Sequence, residues 1–248
     1  MRFPRSHGSS TLVAGLVAAA LALTGCLDDQ TVGTQTEANV PPPAVDVSGD
    51  PAAISGAGDT STAAGAAGIA TVVMIGDSIT KGSTSRLKER FDLLGLDNLI
   101  AAENGKRMAV SAQDNPSGAE VASFLAQNSD GDHSDEVWVV ALGTNDVSQY
   151  SGPDSIAASV NEVLNEVPDD AAVVWVDIYF RDRPEDAASV NSIIRERVTR
   201  RGDSVIAPWA AFAASDGVLT GDGVHPTSEG SDVFAFVVTD TVRAFLGR

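Results

Sequence analysis

The stretch "DEVWVVALGTND", residues 135–146, joins six consecutive apolar residues, Val137 to Leu142, to a polar turn. The apolar run does not alternate with polar residues. A strand with one wet face would alternate, so this run reads as a strand covered on both faces, as in a parallel sheet. Four other short runs share the pattern: "TVVMIG" from residue 71, "NLIAAE" from 98, "AAVVWVDIYF" from 171 and "SVIAPW" from 204. Longer segments of mixed polarity separate them. Ile156, Val160, Val163, Leu164 and Val167 fall on one stripe of a helix, which Pro168 ends. Glu185–Arg201 and Ser228–Leu246 read as further helices. Strands alternating with helices predict a three-layer α/β/α sandwich around a five-stranded parallel sheet.

Upstream of this domain, assigned to residues 70–248, the chain changes character. Arg2 and Arg5 precede an uncharged stretch from Ser9 to Gly25. A basic start, an apolar middle and small residues at the end read as a secretory signal over residues 1–25. Its apolar part, Thr11–Leu23, falls short of the ~20 residues a membrane-spanning helix needs. Leu23-Thr24-Gly25-Cys26 resembles the bacterial lipobox. That resemblance implies lipidation of Cys26 and anchoring at the outer face of the bacterial cell membrane. Cys26 is the only cysteine, so the exported chain is expected to form no internal disulfide. Residues 26–69 then read as the lipidated cysteine and a disordered tether. They are rich in Ala, Gly, Thr, Ser, Asp and Pro and hold no aromatic residue. Such a segment buries too little apolar surface to offset its conformational entropy.

The chain carries 34 acidic and 16 basic side chains. Loss of residues 1–25 removes two arginines and no acid, taking the net charge from −18 to −20. A nucleic-acid partner is therefore not expected, because phosphate binding needs a basic surface. Contact with the membrane is expected through the acyl chains on Cys26 rather than through the domain. The excess of Asp over Glu fits either a salty habitat or a biased genome composition.

Polar clusters stand where the apolar runs end. In open parallel sheets, ligands bind beyond the carboxyl ends of the strands. Gly76-Asp77-Ser78 follows the first run, Gly143-Thr144-Asn145-Asp146 follows the third, and Asp222-Gly223-Val224-His225-Pro226 precedes the last helix. A serine hydroxyl becomes a useful nucleophile only beside a base, and the base needs a group to orient it. His225 is the base candidate, since His7 lies in the signal and His133 sits in a polar loop expected to face solvent. Asp222, three residues earlier, is within reach of the imidazole. Asn145 and the Ser78 N–H offer donors for a developing oxyanion. Asp77 and Asp146 are expected to hold loops, and Trp138 and Trp175 to fill the core. Trp209, just past the fifth run, belongs either to the core or to the site. Arg107, Arg181 and Arg183 also lie near strand ends, with a solvated surface role favoured for each. No zinc-like ligand spacing and no phosphate-binding glycine loop are visible, so no metal or cofactor is expected.

"GDSIT", "GTND" and "DGVHP", in this order and spacing, resemble the SGNH hydrolase superfamily, the GDSL-type esterases and lipases. The resemblance covers roughly residues 70–246. It implies a flavodoxin-like fold, Ser78 as nucleophile, His225 as base and Asp222 as its orienting acid. It also implies an oxyanion hole made by Ser78, Asn145 and a glycine, for which Gly105 in "AENGKRM" is the candidate. Gly105 is equally readable as a plain turn residue. The function implied is serine ester hydrolysis of short-chain, acetyl-type esters through an acyl-serine intermediate. The substrate expected is a small ester or an acetylated glycan. "VVALGTND", Val190-Asn191 and "APW" at 207–209 are similar to the SGNH domains of cell-wall and polysaccharide O-acetyltransferases, which keeps acyl transfer to a sugar open. A binding lipoprotein that keeps the fold without catalysis is the remaining alternative. A monomer on its tether is the simplest expectation for assembly.

Overall fold

The computed structural model describes residues 68–129 and 131–248. The signal, Cys26 and residues 27–67 of the tether lie outside the described residues. Five strands form one parallel sheet: β1 (Thr71–Gly76), β2 (Asp97–Ala102), β3 (Glu136–Ala141), β4 (Ala172–Val176) and β5 (Ser204–Ala207). Their order is β2-β1-β3-β4-β5, the flavodoxin-like order expected for this architecture. Each of the five apolar runs became a strand, and the register pairs Met74 with Ile100 on one side and Val139 on the other.

The strand side chains sort by the period of two. Val72, Met74, Val137, Val139, Val174 and Val176 face a core closed by α1 (Ser78–Leu93), α5 (Trp209–Ala213) and α6 (Ser228–Phe245). Val73, Ile75, Trp138, Val140, Val173 and Trp175 face a second core closed by α2 (Gly118–Gln127), α3 (Pro153–Glu166) and α4 (Pro184–Arg201). Burial on both faces explains why the central runs show no alternation. Ile69 is also buried and packs in the first core.

The helix ends follow local rules. Pro153 and Pro184 open α3 and α4, where a missing N–H costs nothing. Ser117 and Glu120 form a capping box on α2. Thr227 caps α6 by accepting the Gly230 N–H at 2.9 Å.

His133 does not face solvent as the polarity of its loop suggested. It is buried, with Nδ1 2.9 Å from a Glu136 carboxylate oxygen that also accepts the Trp138 Nε1–H at 2.7 Å. Its backbone N–H donates to Asp170. Polar neighbours in sequence here supply partners that let an imidazole enter the interior. Trp138 and Trp175 are core residues, as expected, and Trp209 is one too: it is buried edge-on against Phe234 at 5.1 Å between ring centroids.

Candidate active site

The sheet order reverses beside β1, whose neighbours β2 and β3 both follow it in sequence. Loops leaving β1 and β3 in opposite directions open a crevice there. The first cluster enters it directly. Asp77, not Ser78, is the N-cap of α1: its Oδ1 accepts the Ile79 N–H at 2.9 Å. Ser78 is the first helical residue, so its hydroxyl is free of capping and its N–H has no helical partner.

The Ser78 Oγ lies 2.9 Å from His225 Nε2, and His225 Nδ1 lies 2.7 Å from Asp222 Oδ2. The other Asp222 oxygen, Oδ1, accepts the Val224 N–H, the His225 N–H and the Thr220 hydroxyl at 2.8–3.0 Å. These bonds, led by those from the His225 and Val224 amides, hold the Asp222 carboxyl well below the usual carboxylate range. An ionised carboxylate therefore faces the imidazole. The turn is tied down at both flanks: Thr220 N–H donates to His225 C=O at 2.8 Å, and Arg181 N–H donates to Gly223 C=O at 3.0 Å.

Asn145 sits in a 3-10 turn, Thr144–Asp146, just beyond β3. Its Nδ2 donates to the Lys106 carbonyl at 3.1 Å and faces an Asp77 carboxylate oxygen at 3.4 Å. The first bond ties Asn145 to the loop after β2, where Gly105 adopts a φ of +70°. Ser78, Gly105, Asn145 and His225 line one open cavity of about 540 Å³, together with Lys81, Gly82 and Asn104. Gly105 thus lines the same cavity as Ser78 and His225. A serine, an imidazole, an ionised carboxylate and amide donors around one cavity have the parts for nucleophilic acyl chemistry.

Two carboxylates hold the frame. Asp77 is buried, and burial pushes its carboxyl up to about 6 against the Ile79 bond and the nearby His225. Asp146 is also buried and also raised by burial. It accepts the Met108 N–H, the Tyr150 hydroxyl and Arg107 Nε, fastening the loop after β2 to the loop after β3. Arg107 lies over the Tyr150 ring and serves this frame. Arg183 lies over Phe180 and is not among the residues that line the cavity. Lys106 is buried and pins the 112–116 loop through Asn115 and Pro116.

Sequence reasoning missed Lys81, Gly82 and Asn104 as cavity residues. Lys81 was findable: three residues past Ser78 on a helix, it shares the serine's face. Among the described residues, no group of three His, Cys, Asp or Glu side chains is placed to hold a metal, and no helix is long and apolar enough to cross a membrane.

The family model of the GDSL-like lipase/acylhydrolases matches residues 74–233, well over half of the chain. The chain belongs to this family. It is accordingly a serine ester hydrolase, and all three clusters fall within the matched span. No curated protein matches it significantly. Solved structures share the fold of this GDSL-family protein at low identity. A carbohydrate acetylesterase family member from Sinorhizobium meliloti superposes with a TM-score of 0.57 at 18% identity, covering 73% of this chain and 100% of that one. The C-terminal catalytic domain of peptidoglycan O-acetyltransferase A from Streptococcus pneumoniae gives 0.54 at 19%, covering 72% and 93%. A family 3 carbohydrate esterase from Clostridium thermocellum gives 0.52 at 16%, covering 72% and 100%.

Proposed function

We propose that this GDSL-family hydrolase removes short acyl groups, acetyl foremost, from an acetylated carbohydrate or similar small ester in the bacterial envelope. It works at the outer face of the membrane as a monomer, tethered through lipidated Cys26. The observation that carries the catalytic reading is the continuous line from Ser78 Oγ through the His225 ring to Asp222, at 2.9 and 2.7 Å. The basic start, the apolar stretch and the lipobox-like residues that end at Cys26 support the location.

In this mechanism His225 Nε2 takes the Ser78 proton as Oγ bonds to the ester carbonyl carbon. The carbonyl electron pair moves onto oxygen, which Ser78 N–H, Gly105 N–H and the Asn145 amide stabilise. Asp222 keeps the imidazole in the tautomer that can accept at Nε2 and favours the imidazolium that forms. The carbon–alkoxy bond then breaks, and the alcohol leaves with the proton from His225. Water gives a proton to His225 and attacks the acyl-Ser78 carbonyl. The serine departs and recovers its proton from the imidazolium.

Ser78→Ala should reduce p-nitrophenyl acetate hydrolysis to background while the melting temperature stays within a few degrees of wild type. Undiminished turnover in that variant would refute the assignment. Acyl transfer to a sugar uses the same residues with a sugar hydroxyl in place of water. The half-exposed His225 side chain leaves room for that second reading. Product analysis with an oligosaccharide acceptor separates them: free acetate supports hydrolysis, and acetylated acceptor as the main product supports transfer.

A further inference from the structure

The cavity wall beside Ser78 carries chemistry that the acyl mechanism does not use. Lys81 lines the cavity from the serine's face of α1, and its ammonium forms an ion pair with Glu103, which follows β2 and stands next to the lining residue Asn104 without lining the cavity itself. The Glu103 carboxylate also accepts the Asn104 N–H at 3.1 Å. Both side chains of the pair are nearly half exposed, at 45% and 49%. An ion pair in that position adds little to stability, so the fold does not account for it.

Its hydrogen-bonding capacity is mostly unspent. Among the described residues, the Lys81 ammonium has Glu103 as its one partner and keeps two further N–H groups. The carboxylate has spare lone pairs, and the bond from Lys81 holds its pKa below the ordinary value, so it stays an acceptor. A donor next to an acceptor matches a pair of neighbouring hydroxyls, each of which both gives and takes a hydrogen bond.

Two more features narrow the ligand. The seven lining residues, Ser78, Lys81, Gly82, Asn104, Gly105, Asn145 and His225, include no branched aliphatic side chain and no Phe, Tyr or Trp. A long acyl chain would find no large apolar side chain among them to pack against. Gly82 stands inside α1, where glycine is disfavoured, and a Cβ built on it meets nothing within 4 Å. The missing side chain leaves that stretch of wall open.

We infer that Lys81, Glu103 and Asn104, with the gap at Gly82, form a subsite for a neutral, hydroxyl-rich sugar beside the reacting ester. The inference rests on the hydrolytic role proposed for Ser78. Charge cancellation within the pair selects a neutral sugar over a uronate, because Glu103 repels a carboxylate that Lys81 alone would attract.

The test compares the full-length protein with Lys81→Met, Glu103→Gln and Gly82→Leu on p-nitrophenyl acetate, acetylated xylo-oligosaccharides and acetylated polygalacturonate. Each variant should raise KM for the xylo-oligosaccharides about tenfold, against a loss of under about threefold in kcat/KM on p-nitrophenyl acetate. Glu103→Gln should also narrow the preference for the neutral xylo-oligosaccharides over the acidic polygalacturonate. Equal losses on the oligosaccharide and the p-nitrophenyl ester, or no loss on either, would overturn the subsite. So would a wild-type preference for the acidic polymer or for longer acyl esters. Wild-type protein inert towards every ester, with Ser78 unreactive to a fluorophosphonate, would overturn the hydrolytic reading itself, and the subsite with it.

Discussion

Asp222 grips His225 twice: one carboxylate oxygen lies 2.7 Å from the ring Nδ1, and the other accepts the residue's own backbone N–H at 3.0 Å. The same carboxylate therefore orients the imidazole and shapes the turn that presents it. Asp222→Asn keeps the size but replaces an ionised acceptor by an amide that can present an N–H to the ring. The imidazole is then pushed towards the wrong tautomer, with Nε2 protonated. The expected loss in kcat is on the order of 10³–10⁴-fold. Steady-state kinetics on an activated ester, with circular dichroism to confirm folding, checks this; a loss below tenfold would contradict it.

Asn145 offers a different signature. Its amide is held by the Lys106 carbonyl at 3.1 Å and more loosely by Asp77 at 3.4 Å. In the proposed mechanism, Asn145→Ala removes a donor that acts only once charge builds on the carbonyl oxygen. The expectation is a fall in kcat of about 10²–10³-fold with KM little changed. A rise in KM at constant kcat would assign Asn145 to ground-state binding instead.

The pH dependence of stability should carry the mark of Asp77. Its folded pKa of about 6 stands above the ordinary value of 3.8, because burial disfavours the charged form. Between those two values the folded state holds the extra proton, so this group's contribution falls as pH rises from about 4 to 6. Asp177, likewise raised to about 6 by burial, acts in the same sense. Asparagine still caps a helix well. Asp77→Asn should therefore gain stability relative to wild type as pH rises through that window, by on the order of 2–3 kcal/mol at full ionisation. Urea titrations at pH 4.5 and 7.5 measure it, and parallel pH profiles for the two proteins would refute the assignment.

Gly223 supplies the backbone freedom of the histidine turn. Its φ is +71°, and a Cβ there would come within 2.7 Å of the Arg181 Cβ. The neighbouring Arg181 N–H bonds to the Gly223 carbonyl, so neither side can retreat without losing that bond. Gly223→Ala should cost on the order of 1–3 kcal/mol of stability and lower kcat by displacing Asp222 and His225. Thermal unfolding and esterase activity should fall together; a variant with unaltered activity and melting temperature would show that the turn is not constrained as described.

Sheet and site differ in how far the amino-acid order reveals them. Val137–Leu142 declares a doubly covered strand because each residue's side alternates while its polarity does not, and that signal is local. Ser78, Asn145, Asp222 and His225 were readable because each follows or precedes a regular element at a fixed short offset. The burial of His133 was not readable: Glu136 and Trp138 stand close by in sequence, but Asp170, which accepts its N–H, lies 37 residues away and arrives only once β3 and β4 pair. The same holds for the Lys81–Glu103 pair, whose members lie on different elements and meet only because β2 packs beside β1 and α1.

Periodicity and turn chemistry act over a few residues, so the chain alone determined its strands, its order of motifs and the residues equipped for acyl chemistry. Which serine oxygen meets which imidazole across 147 residues, which helix cap leaves the hydroxyl free, and which polar groups border the cavity were decided by the folded sheet. Those contacts depend on strand order and register, and no short window of sequence encodes the distance between two elements that packing alone brings together.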